Sequence, residues 1–215
     1  MKRLTEEEER ERLFKMTEIE RSCREKGFKC IAGVDEAGRG PLAGPVFAAA
    51  VILPENCFIP GLNDSKKLSE KKRKELFDII CEKAVSYCIA DISHERIDEI
   101  NILNATFEAM NKAVNGLDAT PDYVLIDGNR IKGMDVAHET VVKGDAKSVS
   151  IAAASILAKV SRDRVMYDAA KKYPQYGFDK HKGYGTKAHC EAILKYGPCK
   201  IHRRTFLKKI TGDKA

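Results

Sequence analysis

The chain has 215 residues, of which 43% are hydrophobic and 33% charged, and its formal net charge is +6 at neutral pH. That balance supports a sizeable core in one large domain or two small ones. It leaves no apolar run long enough to span a bilayer, and the charged opening MKRLTEEEERERLF is unlike a secretory signal, so a cytoplasmic protein is expected.

In chain order, residues 5–27 read as a charged helix with Leu13, Phe14, Met16 and Ile19 on a narrow apolar stripe, part of an N-terminal extension spanning 1–27. CIAGVDEAG, residues 30–38, reads as a strand. PVFAAAVIL, residues 45–53, reads as a second strand, apolar enough to be buried on both faces of an α/β sheet. A loop and a helix capped by Ser69 follow, then a third strand over 85–92 and a helix over 95–115. PDYVLIDGN (121–129) and AHETVVKGD (137–145) read as further strands, and the alanine-rich stretch 148–173 has high helix propensity. Beyond it lies a Gly/Lys/His/Tyr-rich loop and a basic helical segment. From residue 171 onward twelve Lys/Arg face three Asp/Glu, which suggests a polyanionic partner. The expected organisation is an α/β core over 28–172 with the basic segment 173–215 packed on it. Seven cysteines without a C-x-x-C pair read as reduced thiols, and the scattered histidines do not suggest a zinc site.

Three apolar runs stop abruptly at an acid beside glycine: AGVDEAG with Asp35 and Glu36, YVLIDGN with Asp127, and TVVKGDAKS with Asp145. Ligand sites of α/β sheets form at strand ends, where side chains converge and loops leave room. If these strands are neighbours, four carboxylates cluster, and their repulsion calls for cations. All-oxygen ligation suits Mg²⁺ or Mn²⁺, and two such ions can stabilise both oxygens of a phosphoryl transfer. Asp145 precedes the alanine-rich helix, whose dipole favours its ionised form. Adjacent strand residues point to opposite faces, so the strand is expected to end or bend between Asp35 and Glu36.

GRGPLAG superficially resembles a phosphate loop but matches neither the dinucleotide nor the P-loop fingerprint, and Pro41 has no N–H to offer. Gly38 and Gly40 allow close backbone approach to a ligand, and Arg39 between them can meet a phosphate. A backbone group held there can detect a 2′-hydroxyl, which distinguishes RNA from DNA.

GVDEAGRGPLAGPV, LIDGN, KGDAKSVSIAAASILAKVSRD and HKGYGT, with SKKL at 65–68 and HRRTF at 202–206, together resemble bacterial ribonuclease HII, a type 2 ribonuclease H. The resemblance runs from about residue 30 to residue 206. It implies a ribonuclease H-like fold: a central mixed sheet flanked by helices, with a C-terminal helical part. It implies that Asp35, Glu36, Asp127 and Asp145 are catalytic, metal-binding carboxylates. It further implies that Gly38, Arg39 and Gly40 read the ribose 2′-hydroxyl and that Tyr184 packs on the sugar. The implied reaction is hydrolysis 5′ to a ribonucleotide in DNA duplexes and in the RNA strand of RNA–DNA hybrids, leaving 3′-hydroxyl and 5′-phosphate ends. Lys66, Lys67, Lys143, Lys182, Arg203 and Arg204 are candidate phosphate contacts. A monomer is expected, and no sliding-clamp peptide is seen near the C-terminus. The alternatives are another ribonuclease H-like nuclease, such as a transposase or junction nuclease that acts only on DNA and has no use for a 2′-hydroxyl reader, or a catalytically silent binding module, against which the four intact carboxylates argue.

Overall fold

A computed structural model describes residues 5–212; residues 1–4 and 213–215, the outer ends of the two predicted terminal segments, lie outside the described residues. The expected single N-terminal helix is two, α1 (Glu6–Met16) and α2 (Glu18–Glu25), broken at Thr17. Thr5 caps α1 in a reciprocal box with Glu8.

Five strands form one sheet in the order β3 (Ser86–Ile92), β2 (Val46–Ile52), β1 (Ile31–Ala37), β4 (Tyr123–Asp127), β5 (His138–Val141). The first three pair antiparallel and β1, β4 and β5 pair parallel, so the sheet is mixed as expected. Every residue of β2 is buried. The reason is its two apolar faces. Phe47, Ala49 and Val51 pack with α3 (Glu70–Lys83) and α5 (Val149–Lys172), while Val46, Ala48, Ala50 and Ile52 pack with α4 (His94–Asn115). Each large aliphatic side chain buried in these layers contributes roughly 1.5–3 kcal/mol.

The alanines of α5 let it lie almost on the sheet. A Cβ on Gly33 would stand 2.2 Å from the Ser150 carbonyl carbon, so β1 must have glycine there. Ser69 caps α3 through the Lys72 N–H, as expected. The predicted helix over 95–115 is interrupted at Asn101 (φ 67°, ψ 162°), whose Oδ1 accepts the N–H groups of Leu103 and Asn104 and starts the second half. The strand predicted over 137–145 is shorter: after Val141 the chain turns, and Gly144–Ala146 form a 3₁₀ turn leading to α5. The basic C-terminal part contains α6 (Phe178–His181), α7 (Lys187–Tyr196) and α8 (Arg204–Thr211). Asp98 of α4 anchors α8 by accepting the N–H groups of Arg204 and Thr205. No described helix is long and apolar enough to cross a membrane.

Candidate active site

The acids of β1 and β4 meet where the ladder between those strands stops. The parallel pairing ends at Val34 with Ile126, but β1 runs on to Ala37, paired on its other side with β2. The expected bend between Asp35 and Glu36 is absent: both lie within β1. The Asp35 side chain instead curls along the strand and accepts the Glu36 N–H at 2.7 Å, a donor that β4 no longer reaches. Asp35 is 3% exposed. Burial, then Glu36 and Asp127, push its carboxyl well above the usual range, against the pull of the Ser155 hydroxyl. Burial also raises Glu36, opposed by Arg39 and reinforced by Asp127. Arg39 Nη1 stands 3.5 Å from Glu36 Oε1.

Asp127 Oδ1 accepts the Gly144 N–H at 2.6 Å, which ties the turn bearing Asp145 to the end of β4. The helix dipole expected to favour ionised Asp145 is opposed by its surroundings. Burial, then Asp127 and Asp64, raise its pKa. The N-terminus of α5 is occupied by a different carboxylate. Glu20 of α2, itself buried, accepts from the Ser148 hydroxyl at 2.6 Å, the Ser150 hydroxyl at 2.8 Å and the Ser150 N–H at 3.1 Å.

Lys66 reaches the cluster from the 3₁₀ turn Ser65–Lys67, its ammonium 3.4 Å from Asp145 Oδ2. Burial pulls that ammonium down, but Asp145, Asp35 and Asp64 carry its pKa above the ordinary value. The turn is held from within: Ser65 and Ser155 hydroxyls bond at 2.7 Å, and Arg73 Nη1 donates to the carbonyls of Ser65 and Leu68. Lys67 and Arg204 are exposed, and exposed Lys143 sits at φ 58° beside Gly144. Lys182 lies across the Tyr167 ring, Nζ 4.2 Å from its centroid.

The turn after β1 is braced by two buried guanidinium groups. Arg203, expected to meet phosphate, is 0% exposed and faces inward. It donates to the carbonyls of Gly38, Arg39, Pro41 and Gly44 at 2.6–3.0 Å. Five N–H groups in a rigid fork suit it to collecting carbonyls from a turn that has no regular pairing. Arg162 of α5 donates to Ala43, Pro45 and Lys182 carbonyls at 3.0–3.1 Å. A Cβ on Gly38 (φ 102°) would fall 2.1 Å from Arg162 Nε, so only glycine fits both the dihedral and the space. The Gly183 carbonyl accepts the Leu42 N–H at 2.8 Å, joining this turn to the HKGYGT loop. A Cβ on Gly40 would stand 3.4 Å from Tyr184 Cε1, and the Tyr184 ring is 46% exposed. The turn, the exposed tyrosine and the acids therefore share one end of the sheet.

Among the described residues no three His, Cys, Asp or Glu side chains are gathered into a ready-made metal group. The donor set nevertheless fits divalent cations: all its donors are oxygens, and mutual repulsion among the acids is only partly offset by Lys66 and Arg39.

A mixed five-stranded sheet with acids at the ends of its two parallel central strands defines a ribonuclease H-like nuclease. The fold is similar to the ribonuclease H2 of Pyrococcus horikoshii, with a TM-score of 0.71 and 30% identity over 85% of this chain and 97% of that one. The family model described as Ribonuclease HII matches residues 32–209. The chain is 56% identical to a ribonuclease HII of Acetivibrio thermocellus over 207 residues, 96% of this chain and 81% of that protein. It is 62% identical to a ribonuclease HII of Endomicrobium trichonymphae over 189 residues, 87% of this chain and 90% of that protein. The chain belongs to the ribonuclease HII family, and it is a metal-dependent ribonuclease H that acts on RNA–DNA hybrids.

Glu20, Arg162, Arg203 and the serines 65 and 155 were not singled out as supports of the site by sequence reasoning. A signal existed for Glu20, which falls with Leu13, Met16 and Cys23 on the buried helical face. None distinguishes Arg203 from Arg204.

Proposed function

We propose that the chain cuts the phosphodiester on the 5′ side of a ribonucleotide embedded in duplex DNA, as well as the RNA strand of longer hybrids, in the cytoplasm. The observation that carries this reading is the union of the Gly38–Gly40 turn with Tyr184 beside the carboxylates. Asp35, Glu36, Asp127 and Asp145 are the ligands for two Mg²⁺ or Mn²⁺ ions, which when bound supply activation of water and charge neutralisation at the leaving oxygen. The chain's own groups do the rest. Lys66 lies close enough to the cluster to hold a phosphate of the cut strand there. Backbone groups of the turn, immobilised by Arg162 and Arg203, meet the 2′-hydroxyl without reorganising on binding. The Tyr184 face receives the neighbouring sugar and fixes its register. Lys143 and Lys182 flank this end of the sheet and serve as further phosphate contacts.

The test is cleavage of a DNA duplex carrying one ribonucleotide, with Mg²⁺, Mn²⁺ or EDTA, beside all-DNA and hybrid duplexes. A metal-dependent cut on the 5′ side, leaving 3′-hydroxyl and 5′-phosphate ends, is expected. Cleavage of the hybrid alone would show that the turn does not read a junction.

A further inference from the structure

Three histidines of the C-terminal segment, His181, His189 and His202, converge beneath the exposed tyrosine. His202 Nδ1 accepts the Cys199 N–H at 2.9 Å, so its proton must sit on Nε2. That nitrogen faces His189 Nε2 at 3.1 Å, which must therefore accept. The His189 proton is left on Nδ1, donating to the Tyr184 carbonyl at 2.9 Å. Each link leaves one neutral tautomer, and both rings are buried. His181 stacks on His189 with centroids 4.5 Å apart. Its Nδ1 accepts the Gly183 N–H at 3.2 Å, and its carbonyl accepts the Tyr184 N–H. The peptides on both sides of Tyr184 are thus held while its ring stays open to solvent. Helix capping does not account for the chain of rings, because Thr186 already caps α7.

We propose that His189 and His202 are positioning residues for Tyr184: the relay sets the peptide from which the ring projects over Gly40, and so tunes recognition of the sugar at the cleavage junction. The inference rests on the reading that Tyr184 contacts substrate. Neither histidine touches the reacting atoms.

A double-mutant cycle on the full-length protein tests it, using His202→Gln, Tyr184→Ala and the pair, on the one-ribonucleotide duplex. His202→Gln is expected to lower kcat/KM about 10-fold, chiefly through KM, and to change it less than about 2-fold once Tyr184 is alanine. Equal effects in both backgrounds would show a merely structural role and overturn the relay alone. An unaffected Tyr184→Ala rate would remove the substrate contact and the relay with it. Should His202→Gln not fold, ¹⁵N–¹H correlation of the imidazoles in the unaltered protein decides. Protons on His189 Nδ1 and His202 Nε2 are expected, and a His189 proton on Nε2 overturns the proposal.

Discussion

Arg203 Nη2 donates to the Gly38 carbonyl at 2.6 Å, joining the start of α8 to the turn after β1 across 165 positions of sequence. The contact is made by a buried cation whose side chain forms no ion pair among the described residues, with Asp98 the carboxylate acting on it. Burial, with the charge of Arg162 added, pulls its pKa down to about 9, which still leaves it protonated at neutral pH. Arg203→Lys keeps the charge but loses the fork, and should destabilise the fold by about 2–4 kcal/mol. Cutting at a single ribonucleotide should fall further than cutting of a long hybrid. Urea denaturation and the ratio of the two rates check this; an unchanged ratio would mean that the turn does not need the brace.

Asp127→Asn retains the shape of the end of β4 but removes a charge from the cluster. Cleavage should drop on the order of 1,000-fold, equivalent to about 4 kcal/mol of transition-state stabilisation, with duplex binding retained. Asp35→Asn should do the same. Fluorescence anisotropy on an uncut analogue separates binding from turnover, and normal turnover in either variant would sink the carboxylate assignment.

Acid should unfold the C-terminal part through its histidines. Burial lowers both His189 and His202 from 6.5 to about 4; the second is pushed further down by His189, Arg204 and His94, the first by His181. An unfolded chain binds these protons below pH 6.5, while the folded rings stay neutral until about pH 4. Stability is therefore complete above pH 6.5 and is lost as pH falls through that window, by up to roughly 3 kcal/mol per ring. Denaturation midpoints across pH 4–7 should show a shallower slope for His202→Gln than for the unaltered chain. Parallel slopes would refute it.

Glu20→Ala strips three donors of their acceptor and takes a negative charge from the N-terminus of α5. A cost of about 2–4 kcal/mol is expected, and roughly half of it for Glu20→Gln, which keeps an acceptor oxygen. Faster amide exchange in the first turn of α5 should accompany the loss. A change below about 0.5 kcal/mol in denaturant would show that the N-terminal helices merely lie on the core.

What was legible in the sequence follows the range of the interactions involved. β2 could be read from seven successive apolar residues, because burial on both faces leaves no other pattern. The end of β4 was marked by Asp127, whereas in β1 the apolar run stops at the buried Asp35, two residues before the strand does. The route by which Asp35 and Glu36 converge was not legible. It depends on the β1–β4 ladder stopping at Val34 while β1 runs on three residues to Ala37, a matter of register between strands some 90 positions apart. Arg203 was misread as a phosphate contact for the same reason: the carbonyls that receive it belong to a loop at the other end of the chain. The three histidines looked scattered because only the folding of the C-terminal loops brings 181, 189 and 202 together.

The brace from Arg203 also sets an order of events during synthesis. The turn at 38–44 leaves the ribosome early, yet the guanidinium that organises it is added about 160 residues later, a delay on the order of ten seconds at typical elongation rates. Until then the carbonyls of that turn have only water for partners on this side. A nascent chain stalled before residue 203 should therefore carry all four acids beside a turn that is not yet braced.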